Sequence, residues 1–504
     1  MKIAFAYPAF ENLGIEYISA LLKENGHKTF LLFDPQLFSD PYLKIQFLAR
    51  MFDYRKSLMK EVARRKPDVV AFSVVSDNFA WACSYAENIK REYPHMKIVF
   101  GGQHITAVPR NVLANWFVDF VIVGEGEYPM LELIQALDIG TSYENIENLG
   151  YKKQNEIFIN ETRPLLQDLN KLPFPDVDLF LDANPYAKKE YNIIAARGCV
   201  NNCSYCHNSM DRNLLWKNCG KFLRRRSIDN IIAELRERKE KYEFDTLCIW
   251  DEVFTCDEKW LEKFSEVYKR EINVPFWTFV HPKHITEKTV KLLEEMGCWE
   301  AEMGVQTLNQ NVKDNILHRY ETREEVIKAI ELFRSTKIRL VVDVIFGLPQ
   351  LKAEDYIELI DTFNQHRPTK IQTFWLRYYP GTDIIPIAKE KGLITKDEVY
   401  EINEGIPERA AASGGSKIDP ALLKFQTILT FLPLLSTKKV NKFLLKTREN
   451  KKNRLPNISR FGHLITRILD LRNKKDVGGR RYKGRMKYFM IKKVFYAGRK
   501  RNVN

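Results

Sequence analysis

Cys199, Cys203 and Cys206 stand in the segment Ala196-Arg197-Gly198-Cys199-Val200-Asn201-Asn202-Cys203-Ser204-Tyr205-Cys206-His207-Asn208, spaced C-x3-C-x2-C directly after an apolar, strand-like run. Three thiolates so spaced on a loop can wrap one face of an iron–sulfur cubane and leave its fourth iron without a protein ligand. A small molecule bearing an amine and a carboxylate can chelate that open iron and receive an electron from it. The competing chemistry is a structural zinc with His207 as fourth ligand. Cys206 and His207 are adjacent, however, whereas closed tetrahedral sites separate their two ligand pairs by a longer loop. Cys83, Cys219, Cys248, Cys256 and Cys298 are scattered and read as small buried hydrophobes. Eight cysteines in 504 residues are too few for a disulfide scaffold. A metal centre in a reducing compartment suits them better.

The elements that must position this loop alternate in type. Residues 1–140 offer apolar strand candidates at Lys2–Tyr7, Thr29–Phe33, Asp68–Val75, Lys97–Phe100 and Phe117–Val123, with helical patterns such as Gly14–Asn25 and Ala80–Tyr93 between them. That order implies a doubly wound, Rossmann-like parallel sheet covered on both faces. Ligands of such sheets bind beyond the carboxyl ends of the strands, where Ser73, Gly101-Gly102 and Gly124-Glu125-Gly126-Glu127 fall. A proline-bearing connector is expected over 141–190. Over 191–384 the alternation resumes, with strands expected at Asn192–Ala196, Thr246–Trp250, Phe276–Val280, Trp299–Val305, Leu340–Phe346 and Ile371–Arg377. Six such repeats suggest a partial (β/α) barrel with its chemistry at the strand carboxyl ends. Residues 385–504 form a mainly helical basic extension.

The charge is segregated. Of the net +14, the stretch Lys438–Asn504 carries +20 and the preceding 437 residues carry −6. Basicity therefore belongs to the tail and not to the catalytic body. Phe431-Leu432-Pro433-Leu434-Leu435, the following lysines and Phe443-Leu444-Leu445 have the makings of an interfacial helix or a lid over the barrel mouth. A solvated extension is the plainer reading. Tyr482, Tyr488, Phe489, Phe495 and Tyr496 suggest that part of the tail packs. No signal peptide and no apolar run long enough to span a bilayer is evident. The expected location is cytoplasmic, with peripheral membrane contact through the tail as an option.

The cysteine segment resembles the signature of the radical S-adenosylmethionine superfamily. That resemblance implies a [4Fe–4S] cluster on Cys199, Cys203 and Cys206, and cleavage of S-adenosylmethionine to methionine and a 5′-deoxyadenosyl radical. Trp250-Asp251-Glu252 is similar to the segment that receives the methionine amino group, although its usual glycines are absent. The role falls to either Asp251 or Glu252. By the same resemblance Glu302 meets a ribose hydroxyl, Val344-Ile345-Phe346-Gly347-Leu348-Pro349 lines the adenine through Phe346, and Arg377-Tyr378-Tyr379-Pro380-Gly381-Thr382 closes the sixth strand. The amino-terminal unit resembles a cobalamin-binding domain. Gly14–His27 matches its first helix, Ser73-Val74-Val75 its S-x-L element and Gly101-Gly102-Gln103-His104 its glycine pair. The D-x-H-x-x-G ligand motif of many cobalamin proteins is missing. His27 is expected to cap a helix, and His104 to order its loop rather than to ligate cobalt.

Together these imply an enzyme of the cobalamin-binding branch, which includes anaerobic magnesium-protoporphyrin ester cyclases and B12-dependent radical methylases. The leading expectation is methyl transfer to an unactivated carbon through the adenosyl radical and methylcobalamin. Radical cyclisation or ring rearrangement is the alternative. A metal-stabilised RNA-binding or scaffold protein is the non-enzymatic rival. Expected partners are a flavodoxin or ferredoxin reductant and a small-molecule or lipid-like substrate, and nucleic acid is not favoured. Trp277, Phe279, His281, Trp299 and Tyr379 are pocket candidates, with His281 and Tyr379 as catalytic candidates.

Overall fold

In the computed structural model two parallel sheets turn their carboxyl ends toward each other. The structure describes residues 1–40, 43–44, 46–212, 220–405, 419–449, 484 and 487–490. The first sheet is ordered β2-β1-β3-β4-β5-β6-β7, with strands β1 (Lys2–Pro8), β2 (Lys28–Asp34), β3 (Val69–Ser73), β4 (Lys97–Gly101), β5 (Phe120–Ile122), β6 (Leu149–Lys153) and β7 (Glu156–Ile159). The first five run parallel, so the chain reverses its winding between β1 and β3 and opens a crevice there. Helix α1 (Leu13–Glu24) starts at that crevice, capped by Asn12, whose side chain accepts the Ile15 N–H at 3.0 Å. Helices α2 (Phe79–Glu92) and α3 (Glu127–Ile139) follow β3 and β5.

Strands β6 and β7 fall in the segment expected to be a connector and extend the first sheet by an antiparallel hairpin. Its turn, Gln154-Asn155, holds both residues at positive φ (51° and 69°), the two-residue geometry that suits strand twist. Asn-Gly or Asp-Gly would have announced it, and Gln-Asn does not.

The second sheet is ordered β8-β9-β10-β11-β12-β13 and is parallel throughout: β8 (Glu190–Ile193), β9 (Thr246–Ile249), β10 (Phe276–Val280), β11 (Cys298–Gln306), β12 (Arg339–Phe346) and β13 (Lys370–Trp375). Six strands do not close a barrel. Helices α4 (Ile228–Tyr242), α5 (Glu258–Glu271), α6 (Glu287–Glu295), α7 (Arg323–Arg334) and α8 (Ala353–Gln365) cover its outer face. Alternate strand residues such as Leu247, Ile249, Met303, Val342 and Val344 pack under those helices in one core. β8 stops at Ile193, short of expectation, because the Asp251 carboxylate draws the Ala195 and Ala196 N–H groups out of register at 2.7 and 3.0 Å. The chain then pairs Ala196-Arg197 antiparallel with Arg224-Arg225.

Beyond the barrel, α9 (Leu423–Phe431) and α10 (Thr437–Arg448) lie on α8 and β13. Phe425, Leu429, Leu432, Val440, Phe443 and Leu444 are buried in the barrel's outer core. Most of the apolar residues of this segment thus cover the sheet, while Leu434 and Leu445 remain exposed. Among the described residues no helix is long and apolar enough to cross a membrane. Phe489 is buried against Phe33 and Tyr54 of the first domain, and the Tyr54 hydroxyl donates to its carbonyl at 3.1 Å, so part of the tail does pack. Tyr482, Phe495 and Tyr496 lie outside the described residues.

Phe443→Ala should lower stability by about 3–5 kcal/mol, as expected for an emptied aromatic site. Lys442→Ala, one residue away on the exposed side, should change it by less than about 0.5 kcal/mol. Thermal unfolding of the two variants checks this, and equal midpoints would show that α10 is not part of the barrel core.

Candidate active site

The carboxyl ends of both sheets border one chamber of about 340 Å³. The first domain contributes Ser73 at the end of β3, Gly101 and Gly102 after β4, and the Gly124–Glu127 loop after β5. The second contributes Gly198, His207, Asn208, Asp211, Trp250 and Glu252. Four charged side chains tie these walls together. Arg224 grips Glu125 with both terminal nitrogens at 2.9 Å, and Arg197 reaches Glu125 at 3.2 Å and Glu127 at 2.6 Å. Arg377 and Asp77 form a further bridge at 2.6 Å.

The cysteine loop opens with Gly198 at φ +87°, where an added Cβ would meet the Phe222 carbonyl oxygen at 2.3 Å. No other residue fits that position. Cys203 is buried, and Cys199 and Cys206 are half-buried. Burial pushes Cys199 up to about 12 and Cys206 up to about 11, and raises Cys203 as well. As free thiols they would stay protonated, so a metal centre held there has to displace their protons. Donors already face the sulfurs: the Asn201 N–H to Cys199 at 3.4 Å, the Asn208 amide to Cys206 at 3.8 Å, and Arg319 to Cys203 at 3.9 Å. Among the described residues no three His, Cys, Asp or Glu side chains converge as a single ion requires. Cys199, Cys203 and Cys206, each with a donor beside its sulfur, are the residues that would hold a cluster.

Of the other residues singled out in the sequence, Ser73, Gly101, Gly102, Gly124, Glu125 and Glu252 border the chamber. Glu125 does so with its carboxylate already committed to two arginines. Gly102 sits at φ +103°, and its Cβ would meet the Val74 backbone at 2.6 Å, so it serves strand–loop packing as much as ligand approach. Val75 does not border the chamber, and its N–H is taken by Asn78 Oδ1 at 2.9 Å. His104 is buried behind the loop, stacked on Phe79 and bonded to Ser76 Oγ at 2.9 Å. Burial depresses it to about 4, so it orders the loop and does not reach into the chamber. His27 is buried against the N-terminal amine, remote from the chamber.

Asp251 is not a free ligand either. It is 1% exposed, accepts two backbone N–H bonds, and is raised to about 6 by burial against the pull of Arg225 and those bonds. Glu252 is exposed and acts electrostatically on Cys199 and Cys206, which leaves it as the carboxylate able to take an ammonium group beside the cluster. Phe346 points away from the barrel interior, stacked on Tyr356 at 4.7 Å in the outer core, because even-numbered residues of β12 face the helices. Glu302 faces the interior, hydrogen-bonded to Asp343, which Gln372 approaches at 3.4 Å. Both carboxyls are raised: burial leads for each, the neighbouring carboxylate raises Asp343 further, and the bond from Asp343 eases Glu302 back.

His281 is buried against Glu321 at 3.4 Å within a cluster that includes Lys313 and Arg319, and burial depresses it to about 4. It does not border the chamber, so it is set aside as a proton carrier. Tyr379 is half-buried between the Arg377–Asp77 bridge and Cys206. Trp250, Trp277 and Phe279 form an aromatic group inside the barrel, with centroids 4.8–5.8 Å apart, and Trp299 packs beneath with Cys248. Sequence reading passed over Arg197, Arg224, Arg319, Asp211 and Asp343. Asp343 was the most accessible of these, as a lone acid in the otherwise apolar Leu340-Val341-Val342-Asp343-Val344.

Comparison with known proteins agrees with this geometry. Residues 3–134 match the model of the B12 binding domain, and residues 193–363 match that of the Radical SAM superfamily. The chain is a cobalamin-dependent radical S-adenosylmethionine enzyme, a B12-binding domain fused to a radical SAM domain. Among curated proteins it is 23% identical to an uncharacterized methyltransferase of Pyrococcus horikoshii over 76% of this chain and 79% of that one. It is likewise 23% identical to the anaerobic magnesium-protoporphyrin IX monomethyl ester cyclase of Rubrivivax gelatinosus, over 88% and 81%. Among solved structures the fold matches the methyltransferase TsrM of Kitasatospora setae with cobalamin and a [4Fe–4S] cluster bound (TM-score 0.61, 16% identity, 78% of this chain and 75% of that one). It also matches the radical enzyme OxsB with aqua-cobalamin and S-adenosylmethionine bound (TM-score 0.66, 14% identity, 100% and 81%).

Asp251→Ala should leave two buried N–H groups unpaired, at about 1–3 kcal/mol each, and lower the iron bound per chain after anaerobic reconstitution. Asp251→Asn keeps an acceptor and should load iron as wild type does. The raised carboxyl also sets a pH dependence. A group whose folded value lies near 6 against 3.8 unfolded stabilises the fold fully below about pH 4, and that contribution is lost as pH rises through 6. The melting temperature of wild type relative to Asp251→Asn should therefore fall between pH 4 and pH 7. A flat difference would mean that Asp251 is ionised throughout.

Proposed function

We propose that the enzyme transfers a methyl group to an unactivated carbon of a small-molecule substrate. The observation that carries this is the single chamber bordered by the carboxyl ends of both sheets, with the cysteine loop on one wall and the Ser73, Gly101 and Gly124 edge on the other. A cluster held by Cys199, Cys203 and Cys206 would supply the electron for cleaving S-adenosylmethionine, and cobalamin would supply a methyl carrier. The chain's own residues do the placing. Glu252 offers its carboxylate to the ammonium group of the sulfonium donor. Glu302 and Asp343 offer hydrogen bonds lower in the barrel. Trp250, Trp277 and Phe279 present an apolar wall where a radical meets no exchangeable hydrogen-bond donor except indole N–H groups that are already bound to Asn192 and Cys248. A substrate held between the two walls is close to both cofactors at once, which is the positional advantage a two-cofactor reaction needs.

The methyltransferase names among the relatives support this reading, and they include a cytidylyl-2-hydroxyethylphosphonate methyltransferase of Streptomyces wedmorensis, 21% identical over 67% of this chain. The long match to the Rubrivivax cyclase favours a second reading, radical cyclisation without methyl transfer. Free thiols at all seven described cysteines support work in a reducing, cytoplasmic compartment with a flavodoxin or ferredoxin as electron donor.

Reconstituted enzyme, reductant, cobalamin and trideuteromethyl S-adenosylmethionine incubated with an anaerobic metabolite extract should yield S-adenosylhomocysteine and a product carrying the labelled methyl. Formation of 5′-deoxyadenosine with an unlabelled product would replace methylation by cyclisation. Cys199, Cys203 and Cys206 changed together to alanine should abolish both nucleoside products, and full cleavage by that variant would reject the site.

A further inference from the structure

The short helix that follows the last cluster cysteine ends beside a carboxylate that the protein leaves unsatisfied. His207–Met210 begins directly after Cys206. Met210 is buried, and a Cβ added at Gly381 (φ +75°) would meet Met210 Sδ at 2.7 Å and Ala107 Cβ at 3.5 Å. The helix therefore packs against the chain after β13, whose Gly381 lies close to Ala107 of the first domain as well. Asp211 inherits a fixed place. It is 9% exposed, it borders the chamber, and its Oδ1 receives no hydrogen bond. Burial raises it to about 6, and the charged groups that act on it are His207 and Glu125. Glu125 belongs to the first domain and is already bound by Arg197 and Arg224.

A buried carboxyl oxygen without a donor is costly, and such an orphan at a cavity wall marks the place of a group from outside the chain. The two carboxylates of the chamber's second wall differ in reach: Glu252 acts on Cys199 and Cys206, whereas Asp211 acts on Cys206 and feels Glu125 of the first domain. The neighbouring Asn208 turns its amide NH2 to Cys206 Sγ.

We propose that Asp211 is a cobalamin-binding residue supplied by the radical SAM domain, accepting N–H bonds from the carboxamide side chains that rim the corrin ring. It completes from the second domain a site whose other contacts come from the first.

The test is cobalamin binding. Full-length enzyme with its cluster rebuilt is titrated anaerobically with hydroxocobalamin, following tryptophan fluorescence, and iron is measured on the same samples. Asp211→Leu should raise Kd at least about tenfold with iron per chain unchanged, and Asp211→Asn, which keeps an acceptor oxygen, should stay within about threefold. Wild-type affinity in Asp211→Leu overturns the proposal. Wild-type enzyme gives a reading that needs no variant to fold. Cobinamide, with its amide rim, should bind at least about tenfold more tightly than cobyrinate heptamethyl ester, which has no N–H to donate, and equal affinities overturn the proposal. Because the readout is binding, it is independent of whether a methyl group reaches a substrate.

Discussion

The carboxylate of Glu125 sits between the guanidinium groups of Arg197 and Arg224, and with Glu127 this quartet fixes how the two sheets face each other. Arg197 and Arg224 are register partners in the short ribbon, so their charges would repel without an acid between them. Arg224 is 3% exposed and Arg197 16%, which leaves water little part in screening them. A buried set of this kind adds modest net stability when complete, yet removal of one member strands a charge. It is thus a registration device more than a source of binding energy. Arg197 stands two residues before Cys199, so the Gly124–Glu127 loop and the cysteine loop share a rigid strut. The Arg377–Asp77 and Asn111–Glu404 contacts lie nearer solvent and add less.

Most of the architecture was legible because its periodicities are strong. Eleven of the thirteen strands and their covering helices follow from apolar runs of the right length, and the six second-domain strands appear within a few residues of expectation. What failed did so for local reasons. The Gln154-Asn155 hairpin carries an unfamiliar turn pair. β8 is cut short by a carboxylate that is distant in sequence, and no local pattern reveals that. At the site, the cysteines and the glycine-rich loops were readable from spacing. Strand parity decided the rest. Phe346 and Glu302 both looked like pocket residues, but residues of one strand alternate between faces, and only the pairing of neighbouring strands says which face is inside. His281 shows the same limit from another side, since a histidine near a strand end is polar by type and is here consumed by a buried ion cluster.

That cluster has a physical logic of its own. Lys313, Arg319, Glu321 and His281 are all nearly inaccessible, and Arg319 alone touches the Gly304 carbonyl, the Tyr205 hydroxyl, Glu321 and the Cys203 sulfur. Glu321 is held well below the usual carboxylate range, with the His281 bond and the two cations outweighing its burial. His281 stays neutral because burial, helped by the Arg319 charge, outweighs the pull of Glu321. The result is a fixed positive charge beside one cysteine, which lowers the cost of a thiolate there and helps hold an anionic cluster in a dry site.

The paired acids lower in the barrel follow the opposite rule. Glu302 and Asp343 are hydrogen-bonded to each other on neighbouring strands, and burial raises both carboxyls against the pull of Lys370, which disfavours two ionised carboxylates there. Their mutual hydrogen bond holds one proton. A couple of this kind presents a donor and an acceptor together, whereas two carboxylates would present acceptors alone. A vicinal diol asks for that combination, because one hydroxyl can donate while the other accepts. The sugar of a sulfonium donor is such a diol, so under the function proposed above Glu302 would receive it together with Asp343. The barrel keeps three electrostatic zones apart: the cationic flank at Cys203, the carboxylate of Glu252 on the chamber wall, and the acid pair beneath. Under that proposal the two acidic zones would hold different parts of one donor, while the cationic flank would serve the cysteine loop.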